Sequence, residues 1–190
     1  MFRKSQPAMM AIKLIGMSED STQGITQTDY VTVRDYILAD ITLKNAHGSG
    51  ALANMKLNEF KAARLVDGEY VVSVTEHKTA VTYGAAKVVL SPSLQHYVAV
   101  YCEKFRSQVI SADKKLPELF LSWHGLPLTR SLQSIWNKAG LGSNITFNLV
   151  RKSVVSTMHD THPQMSASLA DLMCHRQTTA QKCYRLLERE

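Results

Sequence analysis

Arg151 is the residue whose type and position most clearly indicate chemistry. It lies within the apolar stripe of a helix predicted over residues 146–159, four residues after Phe147 and three before Val154. A guanidinium keeps its proton and is costly to bury without an anion. Arg151 is therefore either a binder of an anionic group or a residue at the stripe's edge, with a packed stem and a solvated head.

Three further side chains could do chemistry, although each has an ordinary structural explanation when taken alone. Lys78 lies at a predicted hairpin turn, where a lysine is by default solvated. His175 follows a predicted helix and could cap its C-terminus, where a cation is favoured. Tyr184 falls on the apolar stripe of the last predicted helix and could be a core residue.

Histidines and cysteines near the C-terminus raise the question of a zinc site. His159 and His162 are spaced by two residues, Cys174 and His175 are adjacent, and Cys183 follows. This spacing lacks the paired ligands that a zinc knuckle needs. We expect no metal site and no cofactor.

The charge of the chain is unevenly distributed, and the basic half is the C-terminal one. Residues 1–95 contain ten Lys and Arg against nine Asp and Glu, whereas residues 96–190 contain twelve against seven. The net charge is +6. Such a balance favours an anionic partner, nucleic acid first, although many soluble basic proteins bind none.

Composition excludes several classes of protein. The chain has 190 residues, of which 45% are apolar and 20% charged, so it can bury a core and is not wholly disordered. It contains no run of about 20 apolar residues that would span a membrane. Residues 1–10 contain no long apolar run and no small-residue cleavage site, so we expect no secretory signal there. The three cysteines form no CxxC pair and are odd in number, which indicates reduced thiols in an intracellular protein.

Periodicity predicts a mainly helical domain with one small sheet. Residues 1–27 show no sustained period and are predicted to be a loose arm, and residues 28–190 form the domain. Helices are predicted over 29–44, 51–60, 91–109, from about 129, and over 146–159, 165–174 and 178–188. Strands are predicted over 70–75, 81–83 and 87–90, with a turn at Asp67-Gly68.

The order and spacing of these features resemble the tyrosine recombinase, or phage integrase, family. The resemblance rests on Leu-x-x-Leu-Met-x-His at 169–175, a Thr-Thr turn, and Tyr184 nine residues after His175. Arg151 upstream, His77-Lys78-Thr79 at the hairpin turn, and Phe-Leu-Ser-Trp-x-Gly-x-Pro-Leu-Thr at 120–129 agree with it. It covers about residues 28–188 and is closer to degenerate transposon-derived recombinase-like proteins of animal genomes than to bacterial integrases.

The resemblance implies a fold and a role for each matching residue. The fold is α+β, mainly α, with a small antiparallel sheet inserted between helices. Tyr184 would attack a DNA phosphodiester, giving a 3′-phosphotyrosine and a free 5′-hydroxyl. Arg151 would grip the phosphate, Lys78 would protonate the leaving oxygen, and His175 would donate to the phosphate.

Two departures from the family pattern put activity in doubt. The His-x-x-Arg motif reads Asn148-Leu149-Val150-Arg151, and an asparagine cannot take a proton from tyrosine. The first arginine is expected at about Gly48, and no Arg lies between Arg34 and Arg64. Losing one of two phosphate clamps typically costs about two to three decades of rate.

The sequence therefore predicts a DNA-binding domain similar to recombinases, with impaired DNA recombination or integration activity. The alternative is a non-catalytic DNA-binding or protein-interaction module derived from a mobile element. The expected partner is duplex DNA, with possible homo-oligomers on DNA, no membrane, and a nuclear location in a eukaryote. The expected DNA contacts are Lys78, Arg151, Lys152, Arg176 and Lys182.

Overall fold

The structure is a computed structural model that describes residues 2–20, 24–46, 49–110, 116–128, 136–137 and 145–172. These ranges contain helices and a three-stranded antiparallel sheet that lies between them along the chain. This arrangement confirms the predicted α+β, mainly α class. The helices predicted from about 129 and over 178–188 lie outside the described residues, as do positions 173 and 174 of the helix predicted over 165–174.

Helix α2, Gln27–Asn45, is the centre of the fold. Its N-terminus carries a capping box, in which Thr26 Oγ1 accepts the N–H of Asp29 and the Asp29 carboxylate accepts the N–H of Thr26. The predicted stripe of α2 is fully buried, and it consists of Tyr30, Val33, Ile37 and Ile41. The helix ends at Asn45, and its C-cap, Ala46, has a left-handed φ of 51°.

The prediction of a loose arm over residues 1–27 is wrong. Residues Gln6–Asp20 form helix α1, which packs against α2. Its buried residues Ala8, Ala11 and Ile15 follow helical spacing, but two of the three are small and gave only a weak apolar period. Every residue of α2 from Val33 to Thr42 is buried, and α1 covers one of its sides.

The sheet has the order β1-β2-β3, and its strands are Arg64–Val66, Glu69–Val74 and Ala86–Leu90. The predicted Asp67-Gly68 turn joins β1 to β2, and both residues have positive φ, 49° and 80°. β2 pairs with β3 from Tyr70↔Leu90 to Val74↔Ala86.

The strand predicted over 81–83 is wrong. Ala80–Tyr83 instead form a single helical turn, α5, ended by Gly84 at a φ of 69°. The β-branched residues there favour a strand by propensity alone. Local bonds override that preference, because the Ala80 N–H donates to His77 and the Gly84 N–H donates to Ala80.

The helix predicted over 51–60 is divided into α3, Ser49–Ala53, and α4, Leu57–Lys61. The interruption has a partner in the chain. The Met55 carbonyl accepts the N–H of Leu119 at 2.7 Å, and the Leu57 N–H donates to the Pro117 carbonyl at 2.8 Å. These bonds take backbone groups that a continuous helix would have used itself.

The helix predicted from Ser91-Pro92 to about 109 is confirmed in its extent. It begins as α6, Pro92–Val100, continues as a π-helical segment, Tyr101–Phe105, and ends in a 3₁₀ turn, Arg106–Val109. Helices α7, Phe147–Thr161, and α8, Ser166–Leu172, complete the described part of the chain.

Candidate functional site

Helix α7 carries the arginine that the sequence places inside an apolar stripe. Its N-cap Thr146 accepts the N–H of Leu149 at 3.1 Å, which fixes where the helix begins. Val150 and Val155 are buried, whereas Val154 is only partly buried. The buried face of α7 is therefore rotated slightly from the predicted stripe, and Arg151 lies within it.

Arg151 is buried and bonded to backbone. Its residue is 7% exposed, and its Nε donates to the carbonyl oxygen of Ala46 at 3.2 Å. Ala46 caps the C-terminus of α2, where the helix dipole favours a cation. The explanation that Arg151 lies at the stripe's edge with a solvated head is therefore wrong, and its binding of an anionic group stays a prediction.

A small apolar cluster fixes α7 beside the end of α2. Ala46, Val155 and Ala170 are buried together, with Val154 and Leu169 packed against them. The cluster joins α2, α7 and α8 at one point. It therefore sets the distance over which Arg151 reaches the Ala46 carbonyl.

The end of α2 is also bonded to the sheet. The Asn45 side-chain amide donates to the Val89 carbonyl at 2.9 Å, and its oxygen accepts the Val89 N–H at 2.7 Å. Asn45 thus acts as a short strand partner for the edge of β3. Arg151 and the sheet are positioned by the same helix end.

Lys78 lies at the far end of the same strand pair, in the segment that follows β2. Its side chain is exposed and has no hydrogen bond or ion pair with any residue that the structure describes. From Val89 to Ala86, where β3 begins, the strand covers about 10 Å. The end of α2 and the β2–β3 pair, which are bonded to each other, therefore position both Lys78 and Arg151. No hydrogen bond joins these two side chains.

Residues 77–84, the closed loop, are tied together by their own bonds. His77 Nε2 lies 2.8 Å from the Gly84 carbonyl oxygen, and His77 Nδ1 lies 3.3 Å from Thr79 Oγ1. A neutral imidazole protonated at Nε2 satisfies both contacts, donating to the carbonyl and accepting from the hydroxyl. The loop that presents Lys78 is thus a shaped unit.

A carboxylate holds the base of this loop. Glu59 Oε1 accepts the N–H of Thr75 at 2.8 Å and its hydroxyl at 2.6 Å, and Glu59 Oε2 accepts the N–H of Lys56 at 2.9 Å. Partial burial opposes the charge of Glu59, but these bonds and the Lys56 ammonium prevail and lower its pKa. Lys56 also pairs with Glu76.

The remaining predicted site residues divide into two groups. Asn148 is exposed and Lys152 is partly buried, and both lie on α7 beside Arg151. The others lie outside the described residues, and they are His175, Arg176, Lys182 and Tyr184. Position 48, where the first arginine is expected, is outside them too.

The sequence reasoning missed Asn45, Glu59 and His77 as positioning residues. Asn45 and Glu59 act through bonds to distant strands, so no local pattern identifies them. His77 closes its loop through a bond to the Gly84 carbonyl, and no sequence pattern identifies that role. Among the described residues, no group of three or more His, Cys, Asp or Glu could hold a metal ion.

No protein-family model matches this sequence, and no curated protein matches it. Solved structures do. XerH site-specific recombinase bound to palindromic difH substrate, a post-cleavage complex, has a TM-score of 0.63 and 16% identity, covering 94% of this chain and 48% of that one. The pre-cleavage complex of XerH with difH substrate has a TM-score of 0.63 and 15% identity, covering 95% of this chain and 50% of that one.

XerA recombinase gives a similar comparison, with a TM-score of 0.58 and 16% identity, covering 94% of this chain and 57% of that one. This chain therefore spans about half the length of the recombinases it matches. The shared mainly helical architecture with a small sheet shows that the chain has the tyrosine recombinase catalytic-domain fold. No described helix is long and apolar enough to cross a membrane.

Proposed function

We propose that this chain is a DNA-binding domain whose strand-transfer chemistry is impaired. The placement of Arg151 is the observation that carries the proposal. On a recombinase fold, Arg151 is buried against the carbonyl of Ala46, two residues before the glycine that stands at the expected place of the first arginine. α7 thus brings one guanidinium, that of Arg151, to the end of α2. The segment between Arg34 and Arg64 contains no other arginine that could serve as the second phosphate clamp.

The roles of the candidate catalytic residues follow the resemblance. Tyr184 is the nucleophile, Arg151 the remaining phosphate clamp, Lys78 the general acid and His175 a donor to the phosphate. Asn148 replaces the histidine that would accept the tyrosine proton. With one clamp instead of two, the phosphate gains less stabilisation in the transition state, by about 3–4 kcal/mol.

DNA is the partner that best fits the charge of the chain. Exposed Lys78 and partly buried Lys152 lie on the described part, and Arg176 and Lys182 add to the basic C-terminal half. Cations of this kind contact phosphates and set orientation more than they read bases. Homo-oligomers on DNA belong to the same proposal.

The origin and location of the protein are part of the proposal too. The pattern of retained and lost motif residues is typical of degenerate recombinase-like proteins derived from transposons in animal genomes. A protein of that origin that binds chromosomal DNA would act in the nucleus of a eukaryotic cell.

The alternative is a module that has lost catalysis altogether and binds DNA or another protein. The bond from Arg151 to the Ala46 carbonyl is equally expected under this alternative, because that arginine contributes to the fold whether or not a phosphate is present. Under this alternative Tyr184 is a core residue.

A covalent-trapping assay with Gly48→Arg tests the proposal. The protein is mixed with nicked duplex DNA, and a covalent protein–DNA band is sought on a denaturing gel. We expect binding but little adduct from the unchanged chain. Gly48→Arg should raise adduct formation at least about tenfold, which corresponds to about 1.4 kcal/mol of recovered stabilisation.

The controls separate the two candidates. The gain must vanish when Tyr184→Phe is added, since that change removes only the hydroxyl. His47→Arg tests an arginine placed one residue earlier. Abundant adduct from the unchanged chain would refute the impairment, and no adduct from either arginine variant would favour the non-catalytic module.

A further inference from the structure

Val81 is a fully exposed aliphatic side chain at the tip of the closed loop. It lies on the single turn α5, between the bonds that fix the loop at His77 and Gly84. Its exposure therefore belongs to a shaped loop and not to an unstructured one. Leu65, on the edge strand β1, is the next most exposed large apolar residue of the described part, at 63%.

The chain on either side of Val81 contains lysines and, beyond Glu76, no carboxylate until Glu103. The sequence from His77 to Cys102 contains no Asp or Glu, whereas it contains Lys78 and Lys87. The nearest acid along the chain, Glu76, is paired with Lys56. An anionic surface can thus approach the tip without meeting a negative charge from the loop.

We infer that Val81 is a wedge that inserts between base pairs of bound duplex DNA from the minor groove. The inference rests on the proposed DNA binding. Proteins that bend DNA often combine cations with one apolar side chain that enters a base step and partly unstacks it. The closed loop has this composition, with Lys78 and Val81 three residues apart on one small tip.

A protein partner fits this tip less well. Specific protein interfaces bury about 800 Å² on each side, and a one-turn loop with a single large apolar side chain offers much less. A base step is a smaller target, since it is a slot between two stacked rings. The β-branched valine is also stiff at χ1, so little rotamer freedom is lost when it inserts.

Fluorescence of 2-aminopurine tests the wedge directly. Duplexes carry the analogue in place of adenine at successive T-A steps, which unstack most easily, and the emission rises where a base loses its stacking. We expect the saturated unchanged protein to raise emission at one or a few positions. Val81→Thr keeps the branched shape but replaces one methyl by a hydroxyl, and it should reduce that rise at least about fivefold.

Leu65→Thr is the control, because it also replaces an exposed aliphatic side chain by a polar one, outside the loop. It should leave the emission rise unchanged. DNA binding without an emission rise, or an equal rise for Val81→Thr, would overturn the wedge and leave the proposed function standing. Failure of the unchanged protein to bind any duplex would overturn both.

Discussion

Glu59 joins two parts of the fold through one carboxylate. One of its oxygens takes both donors of Thr75 at the end of β2, and the other takes the N–H of Lys56 before α4. A charged acceptor makes stronger bonds than a neutral one. The ionised form of Glu59 is therefore the form that stabilises the base of the closed loop.

Glu59→Gln should lower the free energy of unfolding by about 1–2 kcal/mol at pH 7, because an amide presents one acceptor where the carboxylate presents two. The pKa of Glu59 is lowered in the folded state, so its contribution is complete above the ordinary value of 4.5. It disappears as the pH falls through the lower folded value. Urea denaturation at pH 7 and at about pH 3 should show the difference between the two proteins shrinking.

Glu76→Gln is the control for this prediction. Glu76 pairs with Lys56, but its side chain is 62% exposed, so the change should leave the free energy of unfolding nearly unchanged. If Glu59→Gln lowered the free energy of unfolding equally at both pH values, the negative charge of Glu59 would not be the source of its stabilising effect.

At the scale of elements, apolar periodicity predicts the helices that are held by packing. It does not predict a short turn that is held by individual hydrogen bonds. α2 and α7 are predictable because their apolar residues recur at helical spacing over about three turns. α1 was missed because Ala8 and Ala11 are small. The turn at Ala80–Tyr83 was missed because the bonds from His77 and Gly84 oppose local propensity.

The candidate site was predictable to a similar degree. The stripe of α7 places Arg151 among apolar positions, but the sequence leaves open whether its head is buried or solvated. The acceptor of its Nε was not predictable, because Ala46 is 105 residues away and only the packing of α7 on α2 brings it near. The geometry of Tyr184 and His175 stays a prediction.

The N-terminal segment is held to α2 by a bidentate ion pair. Arg3 Nε and Nη2 donate to the two carboxylate oxygens of Asp40 at 2.7 and 3.1 Å, and the bonds and charge of Asp40 raise the pKa of Arg3. Phe2 packs between the rings of Tyr36 and Trp136. The segment that the sequence predicted to be loose is thus part of the core.

Arg3→Met should lower the free energy of unfolding by about 1–3 kcal/mol, because the Asp40 carboxylate, 6% exposed, loses its two donors. Chemical denaturation followed by tryptophan fluorescence measures it. Lys4→Met is the matched control, since Lys4 is exposed and lies next to Arg3 in the chain. Equal effects of the two changes would show that the ion pair contributes nothing.

At the scale of the whole molecule, charge is separated along the chain. The surplus of five positive charges in residues 96–190 lies in the half that contains α7 and the candidate nucleophile. Binding through such charges releases counterions from DNA. Affinity should therefore depend on salt far more than on sequence.

Gel-shift titration should show DNA affinity falling on the order of 10²–10³-fold between 50 and 200 mM salt, if about five phosphates are neutralised. Lys152→Gln should reduce the slope of log affinity against log salt by about one. Lys104→Gln is the control in the same half, because Lys104 pairs with Glu103 at 3.2 Å. A salt-independent affinity would refute binding through phosphates.

The burial of α2 on every side has a consequence for how this protein can vary. From Val33 to Thr42 every position is interior, including Arg34, Asp35 and Asp40, so nearly any substitution there changes packing or leaves a buried charge unpaired. The tip of the closed loop carries no such constraint at Val81. Substitutions at Val81 can therefore change what the loop binds with little effect on stability, whereas substitutions in the central part of α2 destabilise the fold.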